Sequence, residues 1–596
     1  AISNPNHPAL QVLPLALKLY WEPVDPLTLL DFLSLPLGPI PKKAARPLAQ
    51  ALAVQPGFRS DAWNEAVSKI TNADNDPEGT LAQRLSDWFD VERVNWGEPL
   101  PKTALEQCSL RVARWSARLA SHWQEDEDRK NRTLSLALMK AAQHASTVRE
   151  LCLSLRGPLT EPQLSRVLDA ALEEDLRITP HVPQAGGPTL VRSLAQLDRS
   201  FRRLIWLGLG SADAPRSRWT NSDLAALQRS GIDLDDGSRR LKALRSAELR
   251  GWSRTCDHVL AISVPQDMEL RPHPIWLQAR EAIRANEPDM AASLSTIIVQ
   301  SQARQVEPWQ IETKSFKLAA PKGPILFWKV EPAYLHDVER SSATELNDRL
   351  ACPTKWVFNY LARLRSSPIA SLPDSFLLKG TFCHEVLAKA FGAGGEPPRV
   401  HEAQQAVEEV FNDSLPRNAG PLAQPNALVE KERLSRQLRA ATRLLVEALR
   451  AGSYQIAAME KEVSGKVGDR DLTGFVDCLA RRQNGEELIL DFKYGGRNKY
   501  RELLTTGRAV QLATYSAARA QEQGVFPAVA YLILADGVLY SPEGSAVFGG
   551  GPAEVLRDSP CIETIWTEFV KALAEADEWL KGTEPIPTRP LLDREK

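Results

Sequence analysis

Two short apolar segments, Gly474-Phe-Val-Asp477 and Leu488-Ile-Leu-Asp491-Phe-Lys493, flank the tripeptide Gln483-Asn-Gly485. No other stretch constrains the fold of this chain as closely. Asn-Gly between strand-prone segments favours a tight hairpin, because both residues tolerate positive φ. Side chains two apart in a strand share a face. Asp491 and Lys493 therefore project together, while Leu490 and Phe492 project to the opposite side. Asp477 stands 14 residues before Asp491, and the hairpin brings both carboxylates and the lysine to one end of a sheet. Strands are expected over 471–481 and 487–493.

Two carboxylates are hard oxygen ligands suited to Mg²⁺ or Mn²⁺, ions that keep open positions for water and phosphate. A lysine beside them holds or deprotonates a water and offsets negative charge in a transition state. The set suits metal-assisted phosphodiester hydrolysis. An Asp-x-Lys triplet alone occurs by chance in long chains; a glycine-led Asp at hairpin distance makes it more specific.

Two helical segments flank this hairpin. In 380–391, His384, Leu387, Ala388 and Phe391 share one face, and a lone histidine there reads as a core residue or a ligand. Gln511 and Tyr515 stand at i, i+4 on a helix expected over 509–521. Between Lys493 and Gln511 runs a basic loop with Arg497, Lys499, Arg501 and Arg508, which reads as a DNA phosphate contact or as a solvated surface.

Taken in order, helix His, strand Gly-x-x-Asp, strand Asp-x-Lys and helix Gln-x-x-x-Tyr span about 135 residues and resemble the RecB-like branch of the PD-(D/E)XK nuclease superfamily. The resemblance implies a restriction-endonuclease-like α/β domain, here 331–596. It makes His384, Asp477, Asp491 and the backbone carbonyl of Phe492 ligands of Mg²⁺ or Mn²⁺. It makes Lys493 the catalytic lysine, and Gln511 and Tyr515 residues that position DNA and the active strand. Further upstream, Leu350-Ala-Cys352-Pro with Trp356, Phe358 and Tyr360 looks like the entry helix of AddB-type nucleases, over 343–364. In many of those the cysteine joins three C-terminal ones on an iron–sulfur cluster. Here the C-terminal region offers Cys561, so Cys352 is expected to be a buried thiol and no cluster is expected.

The rest of the chain is consistent with a multidomain α/β protein. At 596 residues it exceeds what one core usually serves. Apolar content of 43% and charged content of 25% are those of a globular chain, and a net charge of −2 leaves DNA contact to local patches. The region 1–188 reads as helical, similar to helicase accessory domains, with Leu27, Leu30, Phe32 and Leu33 at helical spacing. Residues 189–330 read as a strand–helix–strand layer, with strands at 204–210 and 259–264. This layer looks like a decayed second motor domain of AddB or RexB. Its Arg239, Arg240, Lys242, Arg245, Arg250 and Arg254 face phosphates or solvent. Prolines 308, 321 and 324 suggest a linker.

No G-x-x-x-x-G-K-[ST] occurs, so no ATP site is expected in this chain; either a first motor domain precedes Ala1 or the chain never hydrolyses ATP. A start without Met fits a processed, tagged or truncated product. Seven scattered cysteines without a CxxC fit reduced thiols in the cytoplasm. No apolar run is long enough to span a membrane. The expected role is that of an AddB-like DNA nuclease working with a helicase partner in end processing, repair or defence against foreign DNA. The rival is a non-catalytic DNA-binding scaffold subunit of a helicase complex.

Overall fold

The computed structural model describes residues 7–72, 74–124, 129–155, 157–173, 189–207 apart from 192 and 198, 221–232, 238–262, 273–286, 327–364 apart from 329, 332–337 and 339, 371–556, 559–581 and 586–587. Residues 179–322 form one compact unit; residues 2–178 and 323–596 form another. No helix among the described residues is long and apolar enough to cross a membrane.

In the larger unit the N-terminal part is helical, as its periodicity requires. Helix Pro26–Ser34 starts with Pro26 behind an Asp25 cap, whose carboxylate accepts from the N–H groups of Leu27 and Thr28 at 3.1 and 3.2 Å. Its Leu29 and Phe32 join Leu17, Trp21, Leu48 and Leu52 in one core, while Leu27 faces solvent. Burying each such side chain contributes roughly 1.5–3 kcal/mol. This layer meets the C-terminal part through its backbone carbonyls: Gly420 N–H donates to Pro56 O at 2.7 Å, and the Gln424 side chain donates from Nε2 to Pro23 O at 3.2 Å.

In the smaller unit, strands Phe201–Leu207 and Thr255–Ile262 pair in parallel, with helices Asn221–Arg229 and Ser238–Trp252 between them in sequence. The glycines at 208 and 210, residues 263–264 and the three linker prolines lie outside the described residues. Arg245 is half-buried, and its Nη1 donates to Glu248 Oε2 at 2.9 Å. Arg254 Nη1 donates to Leu197 O at 2.9 Å. Both guanidinium groups keep part of their surface toward solvent, Arg254 being exposed.

The C-terminal part is a sheet between two helical layers. Its elements are α1 (Ser375–Phe391), α2 (Val400–Asn418), α3 (Leu428–Ala451), β1 (Gln455–Val467), β2 (Arg470–Arg481), β3 (Glu487–Lys493), α4 (Arg497–Thr505), α5 (Val510–Gln523), β4 (Ala528–Ile533), β5 (Val538–Ser541) and β6 (Glu554–Val555). Among the described residues the sheet runs β6-β5-β4-β3-β2, with β1 and the short strand Arg340–Ser341 also on β2. β3 is antiparallel to β2 and parallel to β4. Period two holds along β3. Leu488, Leu490 and Phe492 pack on α1, α2 and α3, whereas Ile489 packs with Leu512 and Ala513 of α5 and with Ile565 and Phe569 of helix Ile562–Lys581.

Two expectations are corrected. The segment 497–505 is helix α4, not a loop. Gly496, at φ +86°, starts it, and buried Leu504 with the Tyr500 ring tilted against Tyr531 at 5.0 Å gives it a packed side. The entry helix is interrupted: Ala343–Ala351 ends at Cys352, because Pro353 has no N–H to continue the ladder. Residues 357–361 then form a π turn.

Candidate active site

The paired part of the β2–β3 hairpin ends where the candidate site begins. Its last ladder pair is Cys478 with Leu490, and one further step of the same register sets Asp477 opposite Asp491. Beyond that pair the Phe492 N–H donates to Asp477 Oδ2 at 2.5 Å. A side-chain carboxylate thus takes the main-chain donor, satisfying a group that would otherwise be buried unpaired.

His384 comes from α1. Asp374 caps this helix by accepting from the N–H groups of Phe376 and Leu377 at 2.9 and 3.0 Å. Buried Phe382, Val386 and Leu387 anchor it. His384 Nδ1 lies 3.3 Å from Asp477 Oδ1, and its ring meets Phe492 edge-on at 5.8 Å. Burial by itself lowers the imidazole's pKa, but the hydrogen bond and charge of Asp477 outweigh it, and the net direction is upward.

Asp491 is 1% exposed. Burial is the main cause that pushes its carboxyl up to about 6, with the Asp477 charge adding and Lys493 opposing. Lys493 Nζ lies 2.6 Å from Asp491 Oδ2. That short charge-assisted contact holds the ammonium against the buried carboxylate. Burial pulls the Lys493 pKa down, yet the Asp491 charge more than reverses this and keeps the group an ammonium. Lys493 Nζ donates to Gln511 Oε1 at 3.0 Å, and Gln511 Nε2 donates to Tyr515 Oη at 3.2 Å. The Tyr515 ring sits directly on Gly474, in the volume where a Cβ would stand. Gly474 and Tyr515 therefore presuppose each other.

The structure adds Glu460, which lies on β1, a strand absent from the sequence reading. A ligand oxygen of Glu460 lies with one atom each of His384 and Asp477 in a group no more than 4.8 Å across. Its backbone is left-handed, at φ +47°, a conformation that costs a non-glycine residue about 1–3 kcal/mol. Burial and then the Asp477 charge raise its pKa. No spacing or period in the sequence marks this residue.

The basic residues after β3 are exposed and largely paired. Arg497 Nε donates to Tyr540 Oη at 3.0 Å, with Glu554 at 3.5 Å. Arg501 stands 3.9 Å from Glu554, and Arg508 stands 2.9 Å from Glu502. Lys499 Nζ lies 5.6 Å from the Tyr500 ring centre.

Carboxylate oxygens and one imidazole, gathered at one end of the sheet, make a fitting donor set for a divalent cation. Cys352 is buried and Cys561 exposed. No curated protein matches the chain. The family model described as the PD-(D/E)XK nuclease superfamily matches residues 340–588, which hold the whole sheet and every group of this cluster. Residues 340–588 of this chain are a PD-(D/E)XK nuclease superfamily domain.

Proposed function

We propose that this domain is a Mg²⁺- or Mn²⁺-dependent deoxyribonuclease of the RecB-like, AddB-like kind, acting with a helicase partner in DNA end processing, repair or defence. The observation that carries the reading is the meeting of His384, Asp477, Asp491 and Lys493 at the end of the β2–β3 ladder. His384, Asp477, Asp491 and the Phe492 carbonyl would hold the cation. When bound, it polarises the scissile phosphate and lowers the pKa of a bound water.

The chain's own groups do the remaining work. Lys493 stays protonated, so its role is to orient water and offset charge growing on the phosphate oxygens, rather than to act as a base. Gln511 fixes the lysine's direction, and Tyr515 fixes Gln511. Asp477 holds β3 in place through the Phe492 N–H while sharing His384. Helix α4 follows the active strand directly, and its Arg497, Lys499 and Arg501, with Arg508 beyond it, would contact phosphates without reading sequence. The test is cleavage of single- and double-stranded DNA with Mg²⁺ or Mn²⁺, compared with the same reaction in chelator. Cleavage only with the cation is expected; none in any divalent ion would overturn the reading.

A further inference from the structure

Lys493 has two polar restraints. Its Nζ lies 2.6 Å from Asp491 Oδ2 and donates to Gln511 Oε1 at 3.0 Å. In the proposed function Asp491 also holds the cation, so its charge is shared and does not serve the lysine alone. An ammonium beside a divalent ion is pushed away by like charge. A third contact, from α4, opposes that push.

The contact is the ring of Tyr500, which stands on a fixed support. It is tilted against Tyr531 at 5.0 Å between ring centres, and Tyr531 of β4 is the residue paired with Asp491 of β3. Gly496, at the start of α4, leaves the room the ring needs: a Cβ there would come within 3.1 Å of Tyr500 Cε2. Among the described residues the Tyr500 hydroxyl makes no hydrogen bond, so what the side chain offers the site is its ring. Lys493 Nζ lies over that ring, 5.8 Å from its centre, inside the roughly 6 Å within which the negative face of an aromatic ring attracts a cation. Lys499 Nζ lies 5.6 Å from the same ring, but Lys499 is exposed, whereas Lys493 is half-buried and pinned by Asp491 and Gln511. Such attraction strengthens where water is excluded, which favours the lysine inside the site.

We propose that Tyr500 is a positioning residue whose ring holds the Lys493 ammonium in its working direction, making α4 part of the active site. The effect on cleavage rests on the nuclease reading; the contact between ring and lysine is tested without cleavage. Tyr500→Phe keeps the ring. A ring-fluorinated phenylalanine inserted at the same position keeps its shape and removes its negative face. Tyr500→Leu removes the ring. At saturating Mn²⁺ the fluorinated ring and Tyr500→Leu are each expected to lower kcat about 2- to 30-fold, the span of a cation–ring attraction, with KM for DNA little changed. Tyr500→Phe is expected to stay within about twofold of wild type, because its ring face attracts a cation similarly.

The second measurement is a thermal-unfolding cycle in chelator over wild type, Tyr500→Leu, Lys493→Met and the double variant. Side chains in contact couple, so the double variant is expected to have a higher Tm than the two single losses added together give. A ring that only packs on Tyr531 gives additive losses. Additive losses, a fluorinated ring with the wild-type kcat, or Tyr500→Phe as slow as Tyr500→Leu overturns the Tyr500 proposal and leaves the nuclease reading standing. A coupled cycle in a chain that cuts no DNA with any divalent ion overturns the nuclease reading, and the positioning role with it.

Discussion

Lys493 Nζ donates to Gln511 Oε1 at 3.0 Å, and this bond links the active strand to the helix that packs behind it. With Asp491 on one side and Gln511 on the other, the ammonium has little freedom to turn. Gln511→Ala removes one of the two restraints and leaves the charge in place. Cleavage is expected to fall about 10–100-fold, as for other groups that orient catalytic partners. Cation affinity should be little changed, because no ligand is touched. Single-turnover rates at saturating Mn²⁺ check this, and an unchanged rate would remove Gln511 from the machinery.

Acid weakens the site in a defined direction. Burial raises the Asp491 carboxyl from 3.8 to about 6, so the folded chain binds this proton more readily than the unfolded one. In the cation-free protein the group contributes stability that is fully present below about pH 4 and is lost as pH rises through about 6. The raised pKa of His384 acts with the same sign: its contribution is complete below 6.5 and is lost above its folded value. A cation needs both groups deprotonated and so reverses the balance. Below about pH 6, where binding displaces a proton from each group, Mn²⁺ affinity is expected to fall by up to about a hundredfold per pH unit. The Mn²⁺-induced rise in Tm should be larger near neutral pH than near pH 5; a rise independent of pH would place the cation elsewhere.

The basic side chains on and after α4 make a surface test. Arg497 and Arg501 both approach Glu554, at 3.5 and 3.9 Å, which competes with any phosphate for them. Exposed pairs of this kind are worth only about 0–1 kcal/mol, so DNA can replace the carboxylate. Replacing Arg497, Lys499 and Arg501 with Ala is expected to weaken DNA binding at low salt for all sequences alike and to flatten its salt dependence, since each lost phosphate contact removes released counterions. Glu554→Gln should act oppositely and tighten binding. Unchanged affinity and salt slope in the triple variant would leave α4 as a solvated helix.

How far the site was readable follows from local periodicity. The β2–β3 hairpin was legible because period two runs unbroken through β3 and Gly485 adopts φ +92° in the turn. The Gly474–Tyr515 contact was legible only as two motif positions; their packing needed the fold. Strand β1 was not legible. Its register shifts between Ile456 and Ala458, and Glu460 turns into the left-handed region, so the alternation that would announce a strand is broken there. Helix α4 was hidden for a different reason. Its apolar side rests on Tyr500 and Leu504, too few positions to show a period among the charged residues, and its start depends on Gly496 rather than a polar cap.

The central claim is that Asp491 belongs to the catalytic centre of a cation-dependent nuclease. Its most direct test is DNA cleavage by the wild-type chain and by Asp491→Ala, each with Mn²⁺ and with chelator. Circular dichroism and DNA affinity should be measured in parallel. The wild-type chain should cut only with the cation, and the variant should fall to background while its fold and DNA binding stay near those of the wild type. A folded Asp491→Ala protein that cuts at the wild-type rate would contradict the account.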